Sequence, residues 1–595
     1  MNGDQVNKIQ TNEKPNIAHI EESFQGDADA QRLKDLGYKQ EFTRSLGVVI
    51  QIGFPFTAMA VLPNWLVGFG PSLAAGGPSS LFWGWVVTTP FVICISLSLA
   101  EMYSAYPLNG GIYSWGYLLS NKKWGPFMSW ISGYIYVAAY IAANMTVAWN
   151  LAQLIIGMAN VLRGEDISST GLYVGIYIVC TIVGTGSGFL GLTFTNILNY
   201  FMVFWLFCGT FVFTISIPVL APTHQSAKWV FTDFNNATGY SSNGLVFFLG
   251  LLQAGWTMVG YDSGITLSEN TKDADRKGPQ GIMLCVFFAL LQGFALTIAV
   301  LFSIQDLNEL VEADLPVSAF FLQVTQNNPQ LSAFFLSLMV VAQFGSLANS
   351  SVANCRVMYA MARDGCLPYS RFFYKLEKGD VPFRIVVLQG VLMILLILPV
   401  FGTMVYWTAV LSAGVICYNF AYGMPLFCRL MWSRNTMPRG PFSLGKWSVP
   451  INAIALLWII FFVIILCFPA MDPVDAEGMN YSSLMLGAVF IFAVAYWLYS
   501  GHVTFKGPIS NIEDDDEQDR VVGYKNNFFP AILFFVSSSL LHHFYFPIAL
   551  RTTTNSDKRR RKTNDDEQTI HYDDDDDDND DDDANDDSTT ALVCP

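Results

Sequence analysis

Twelve stretches of this chain are apolar over about 20 residues each, and that repetition limits the fold more than any other feature. They fall near 45–68, 79–103, 127–158, 171–190, 196–220, 244–267, 280–303, 331–361, 383–402, 404–428, 449–469 and 482–500. At about 1.5 Å per residue, each can cross the roughly 30 Å hydrocarbon core of a bilayer. With no water there, backbone N–H and C=O groups must bond within the segment, and a helix does this by itself. The expected fold is therefore an all-α polytopic membrane protein of twelve transmembrane helices. Composition agrees: 52% of residues are hydrophobic and 13% charged, about half the charge of a soluble domain, which excludes an ordinary soluble enzyme.

The ends differ from this core. Residues 1–44 are polar and expected to form a cytoplasmic tail; they contain no signal-peptide core, so the first span is expected to direct its own insertion. Residues 45–500 hold the spans, and 501–595 form a C-terminal region also expected on the cytoplasmic side. Within that region, 527–550 is apolar but contains Pro530, His542, His543 and Pro547 and runs into a basic cluster from Lys558 to Lys562. A re-entrant or surface segment, or an error in the gene model, fits it better than a thirteenth span. The aspartate-rich stretch 573–587 repels itself too strongly to fold and carries much of the net charge of −16.

Basic loops are translocated poorly, which orients the chain. With the N-terminus inside, the inner loops carry Lys122, Lys123, Lys272, Arg276, Lys277 and a series from Arg363 to Lys446, whereas the outer loops carry only Arg163 and Lys228. The sequons at Asn236 and Asn480 then fall in outer loops, as candidate glycosylation sites. The cysteines lie in apolar segments or inner loops, and no structural disulfide is expected.

Two spans are interrupted. The sixth breaks at Gly260-Tyr261-Asp262-Ser263-Gly264, where a carboxylate at membrane depth is costly unless it faces a cavity, pairs or serves a ligand. The first contains Pro55, then Thr57-Ala58-Met59-Ala60, then Pro63, and each proline removes a ladder donor. Paired interruptions in corresponding spans mark the binding site of a transporter built from repeats. The plainer reading is a pair of kinked helices, the second capped by Asp262.

Residues 76–117, GGPSSLFWGWVVTTPFVICISLSLAEMYSAYPLNGGIYSWGY, resemble the eukaryotic amino acid/choline transporter family of the amino acid–polyamine–organocation superfamily, which includes fungal GABA and choline permeases. LGYKQEFTR at 36–44, GYDSGITLSENTKDA at 260–274, RVMYAMARDGCLP at 356–368 and RGPFSLGKWSVPI at 439–451 extend the resemblance over about 36–510. It implies a five-plus-five inverted repeat with two extra helices that carries a small amine or amino acid by alternating access. It also implies substrate binding at Thr57, Ala58, Met59 and Ala60 of the first helix and at Gly260, Tyr261 and Asp262 of the sixth. Two departures stand out: Ala60 replaces a glycine, and Thr266 and Asn270 replace the His and second acid of a His-x-Ser-Glu-Glu run.

Free amides at a half-helix start suit a carboxylate, and freed carbonyls suit an ammonium group. Asp262 is a candidate to bind a cation, take up a coupling proton or cap the helix. Trp256, Tyr261 and Trp149 are candidates for an aromatic wall. Glu101, at the inner end of the second span, is a candidate to pair with Arg356 or Arg363 and close an inner gate. Ser346, Asn349, Ser350 and Ser351 of the eighth span either ligate a coupling cation or let helices pack closely, and packing is favoured, hence H+ over sodium. Neither a zinc-spaced Cys/His cluster nor a phosphate loop nor a nucleophile elbow is present, so no enzyme, cofactor, metal or nucleic-acid partner is expected. The expected function is a secondary permease of amino acids or GABA, a symporter in the plasma or a vacuole-like membrane, with membrane lipid as its other partner. A choline or polyamine transporter and a non-transporting amino acid receptor are the alternatives.

Overall fold

The computed structural model describes residues 44–377, 381–475 and 479–508. The N-terminal tail up to 43, the apolar segment 527–550 and the acidic stretch 573–587 lie outside the described residues. Numbering the membrane-length helices and their halves in chain order gives α1 (Val48–Met59), α2 (Val61–Val67), α3 (Gly77–Ala105), α4 (Gly125–Arg163), α5 (Thr170–Gly186), α6 (Gly191–Leu220), α7 (Asn243–Leu249) and α8 (Leu252–Thr257). The remainder are α9 (Ala274–Ser303), α10 (Pro329–Arg363), α11 (Phe383–Ile397), α12 (Val405–Trp432), α13 (Ser448–Leu466) and α14 (Ser482–Tyr496). Among the described residues β pairing is confined to isolated bridges, such as Leu46 with Thr271.

Among the described residues, ten helical stretches are long and apolar enough to cross a bilayer. One of them, Thr170–Leu220, has 51 residues and as a single rod would reach roughly 76 Å, more than twice the hydrocarbon thickness. A 3-10 turn at Ser187–Leu190 and Gly191 at φ +75° divide it into α5 and α6, the fourth and fifth expected spans. The sixth span is not among the ten because α7 and α8 have only 7 and 6 residues. With these two adjustments the helices correspond to the twelve apolar windows.

The halves of the chain pack on each other in register. The first span meets the sixth, α3 packs on α9, α4 on α10 and α5 on α11, so each of these spans touches the one five places further on. α13 and α14 lie outside this ten-span core, against α3, α4 and α12. The outward sides of α5 and α6 expose Val179, Ile182, Phe204, Phe211 and Ile215, a continuous apolar face that suits lipid rather than water.

Candidate functional site

The site begins with two local failures of helical geometry. Proline at position i clashes with the carbonyl of residue i−4, so Pro63 blocks a regular helix through Met59. The chain turns instead at Ala60, which adopts the left-handed conformation at φ 36°, ψ 61°, and Pro63 falls in the first turn of α2, where no donor is needed. The Met59 carbonyl is satisfied by the Asn64 side-chain amide at 2.7 Å. The expected interruption over Thr57-Ala58-Met59-Ala60 is thus narrowed to Ala60, because the helix continues past Pro55 as far as Met59. In the sixth span α8 ends at Thr257, the chain passes Gly260 at φ +99°, and a 3-10 segment, Ser263–Asn270, follows. A second break at Gly250 and Leu251, between α7 and α8, was not foreseen.

The two breaks border a small cavity of about 30 Å³. Ala58 and Met59 line it from the first span, Trp256, Val259, Gly260 and Ser263 from the sixth. The third and tenth spans close it with Tyr140, Ala143, Val147 and Tyr418, and Asn64 and Ser350 complete the wall. Every lining side chain is uncharged. The Ser263 hydroxyl and the Trp256 indole N–H are buried and bond no other group among the described residues, so a ligand with acceptor oxygens has two donors on lining residues.

Asp262 does not line the cavity; it sits directly behind it, fully buried. Its Oδ2 accepts from the hydroxyls of Tyr136 and, at 3.0 Å, Tyr140, one turn apart on α4. Its Oδ1 accepts from the Tyr422 hydroxyl of α12 at 2.5 Å, and that same hydroxyl accepts from the Gly260 amide at 3.1 Å. Among the described residues no Lys, Arg or His pairs with it. A carboxylate offers about four acceptor positions, three of which are filled here by neutral donors. The hydrogen bonds orient the group without cancelling its charge, and a buried charge in that condition costs several kcal/mol. A proton or a cation would complete the site.

Of the residues singled out for the substrate, Ala58, Met59, Trp256 and Gly260 converge on the cavity, whereas Thr57, Ala60, Tyr261 and Asp262 do not line it. Thr57 is fully buried on α1, and Tyr261 packs against Tyr422 with ring centroids 5.3 Å apart. Trp149 lies elsewhere, between Tyr173 and Trp407. Ser350 is at the cavity wall; its hydroxyl bonds Asn144 and, at 2.8 Å, the Ser346 carbonyl, while the Ser346 hydroxyl donates to the Ala58 carbonyl at 2.6 Å. Asn349 bonds Asn199 at 2.5 Å. Ser351 and Arg356 border a separate cavity, beside Thr185 and Thr195.

The expected pairing of Glu101 with Arg356 or Arg363 is corrected by the fold. Glu101 pairs with Arg429 at 2.8 Å and also accepts from Ser448 at 2.7 Å, because the ends of α3, α12 and α13 meet there. Arg363 instead approaches Glu269 at 3.6 Å, and Asn109 of the Leu108–Gly111 turn bonds the Glu269 amide at 2.9 Å. The sequons share one geometry: the Asn236 and Asn480 side-chain oxygens accept from the hydroxyls of Thr238 at 2.8 Å and Ser482 at 2.6 Å. The residues that sequence reasoning passed over are Tyr136, Tyr140, Tyr418 and Tyr422. Their signal was present as two tyrosine pairs spaced four apart in apolar spans, which places each pair on one helix face.

A helical bundle with two spans broken around a cavity has the architecture of a polytopic membrane transporter. The family model described as "Amino acid permease" matches residues 45–491. The chain is 31% identical over 515 residues to the "Amino-acid permease BAT1 homolog" of Oryza sativa subsp. japonica, covering 84% of this chain and 99% of the relative. Amino-acid permease BAT1 of Arabidopsis thaliana is 30% identical over 505 residues, with 82% and 97% covered. The uncharacterized amino-acid permease C15C4.04c of Schizosaccharomyces pombe is 28% identical over 520 residues, with 84% and 93% covered. The chain therefore belongs to the amino acid permease family, as an integral multi-pass membrane protein that transports amino acids.

Proposed function

We propose that this permease, seated in the plasma membrane or a vacuole-like membrane with both termini in the cytoplasm, carries amino acids with neutral side chains by alternating access in symport with protons. The observation that carries the substrate class is the cavity wall, which presents no charged side chain. A zwitterion has one charge of each sign, and the partial charges of broken helix ends balance both. A basic or acidic side chain would bring a net charge with nothing on the wall to pair it.

Proton coupling is supported by Asp262, for which a proton is the smallest neutralising partner. The alternative, a hard cation between the first and eighth spans, would have to share the Ala58 carbonyl with the Ser346 hydroxyl that already donates to it. Orientation is supported by the concentration of Lys and Arg in alternate loops. In that orientation the Glu101–Arg429 and Glu269–Arg363 pairs stand on the cytoplasmic side as inner-gate contacts, and Asn236 and Asn480 face outward as glycan acceptors.

A second reading, an organic cation such as choline or a polyamine, is favoured by the rings of Tyr140, Tyr418 and Trp256 in the wall. Uptake into liposomes containing purified protein separates the readings, using labelled neutral, basic and acidic amino acids, GABA, choline and putrescine, with and without an inward proton gradient. Saturable accumulation of neutral amino acids that collapses with the gradient supports the first reading. Preference for choline or putrescine transfers support to the second, and binding without accumulation indicates a receptor.

A further inference from the structure

We propose that Tyr140 is the relay through which the cavity exchanges a proton with Asp262, so that substrate in the cavity controls whether that proton can leave. The inference rests on the proton-coupled reading above. Among the three tyrosines that bond the carboxylate, Tyr140 alone also lines the cavity. Tyr418 lines the cavity as well, but it packs against Tyr140, with ring centroids 5.3 Å apart, and does not bond Asp262. Among the described residues, Tyr140 is thus the one side chain that both lines the cavity and hydrogen-bonds Asp262.

The chemistry balances without any further reactant. A phenol hydroxyl accepts one hydrogen bond while donating another. A hydronium or protonated water in the cavity delivers a proton to the Tyr140 oxygen as the hydroxyl's own hydrogen passes to Asp262 Oδ2. Tyr140 ends as a neutral phenol and Asp262 as a neutral acid; release reverses both transfers. The other titratable groups around Asp262 are Tyr136 on α4, Tyr418 and Tyr422 on α12, Tyr261 beside it in the chain, and Cys285 on α9. None of these is a base that could take the proton in place of the carboxylate. Substrate that displaces cavity water removes the outer half of the path and traps the proton, and this links the two cargoes.

The test compares Tyr140→Phe with Tyr136→Phe in liposomes, measuring both exchange of labelled for unlabelled neutral amino acid and gradient-driven accumulation. Both variants remove one hydroxyl from the same carboxylate, but only the first interrupts the path to the cavity. The ratio of accumulation to exchange is expected to fall at least about tenfold in Tyr140→Phe and by clearly less in Tyr136→Phe. Equal ratios in the two variants would overturn the relay and leave the cage a structural support. A measurement that needs no variant is proton uptake or release by wild type in weak buffer as substrate is added: a substrate-linked change of about one proton per protein is expected. No change in proton binding overturns the relay. Wild type that exchanges amino acids without responding to the gradient overturns the relay but leaves the amino acid reading standing. Wild type that neither binds nor exchanges any of them overturns that reading itself.

Discussion

Glu101 of α3 and Arg429 of α12 meet at 2.8 Å with both side chains almost fully buried, 328 positions apart in sequence. The difference in position, 429 less 101, shows why no local pattern could announce the pair. Ser448 bonds both partners and ties α13 to the same point. A buried pair is expensive to assemble and more expensive to break, since the survivor keeps an uncompensated charge. Arg429→Gln is expected to destabilise the protein by about 3–5 kcal/mol, and the double variant Glu101→Gln/Arg429→Gln by less than the sum of the singles. Thermal unfolding in detergent checks both, and additivity would show that the pair is not coupled.

Asp262→Asn keeps the size of the side chain and its ability to accept from Tyr140 or Tyr422, but it cannot take up a proton. Transport by wild type is expected to rise with an inward proton gradient and that of the variant to be insensitive to it. Initial rates measured over a series of external pH values would reveal this; a variant with an unchanged pH profile would remove Asp262 from the coupling step.

Ala60 occupies a conformation that costs a residue with a β-carbon about 1–2 kcal/mol. Glycine there relieves the strain but gives the unfolded chain more freedom, offsetting about 0.4–1 kcal/mol. Ala60→Gly is therefore expected to range from neutral to slightly stabilising, whereas Ala60→Val, β-branched in a fully buried left-handed position, is expected to lose about 2 kcal/mol or more. Melting temperatures of the two variants should move in opposite directions or differ by several degrees.

Val147 projects into the cavity wall from α4, next to Ala143. Val147→Phe fills space that the substrate needs, at an overpacking cost of about 1–3 kcal/mol. Substrate affinity is expected to fall at least about tenfold, more for larger amino acids than for small ones. Equilibrium binding across a size series of neutral amino acids reads the effect directly, and an unaltered size dependence would place the substrate elsewhere.

The break in the first span was legible because Pro63 acts locally: its ring excludes one carbonyl, and that carbonyl belongs to the residue before Ala60. Its exact extent was not, since Pro55 also interrupts the ladder yet the helix carries through it. The break in the sixth span was legible for a similar reason, Gly260 being at ease at positive φ. What surrounds Asp262 was not legible, although the spacing of Tyr136 with Tyr140 and of Tyr418 with Tyr422 contained half of the information. Spacing places two rings on one face of a helix but does not say which face turns toward the sixth span.

Local chemistry in the sequence determined the apolar spans, their helical state and the places where two of them fail. Each follows from a length of apolar residues in a solvent without hydrogen bonds, or from the covalent limits of proline and glycine. The tertiary structure alone decided that three phenols converge on Asp262, that the carboxylate stands behind the cavity instead of in its wall, and that Glu101 selects Arg429 over Arg356 and Arg363. These depend on how α3, α4 and α12 rotate and approach one another. That is settled by the packing of whole helix faces, and a single residue's identity carries no record of it.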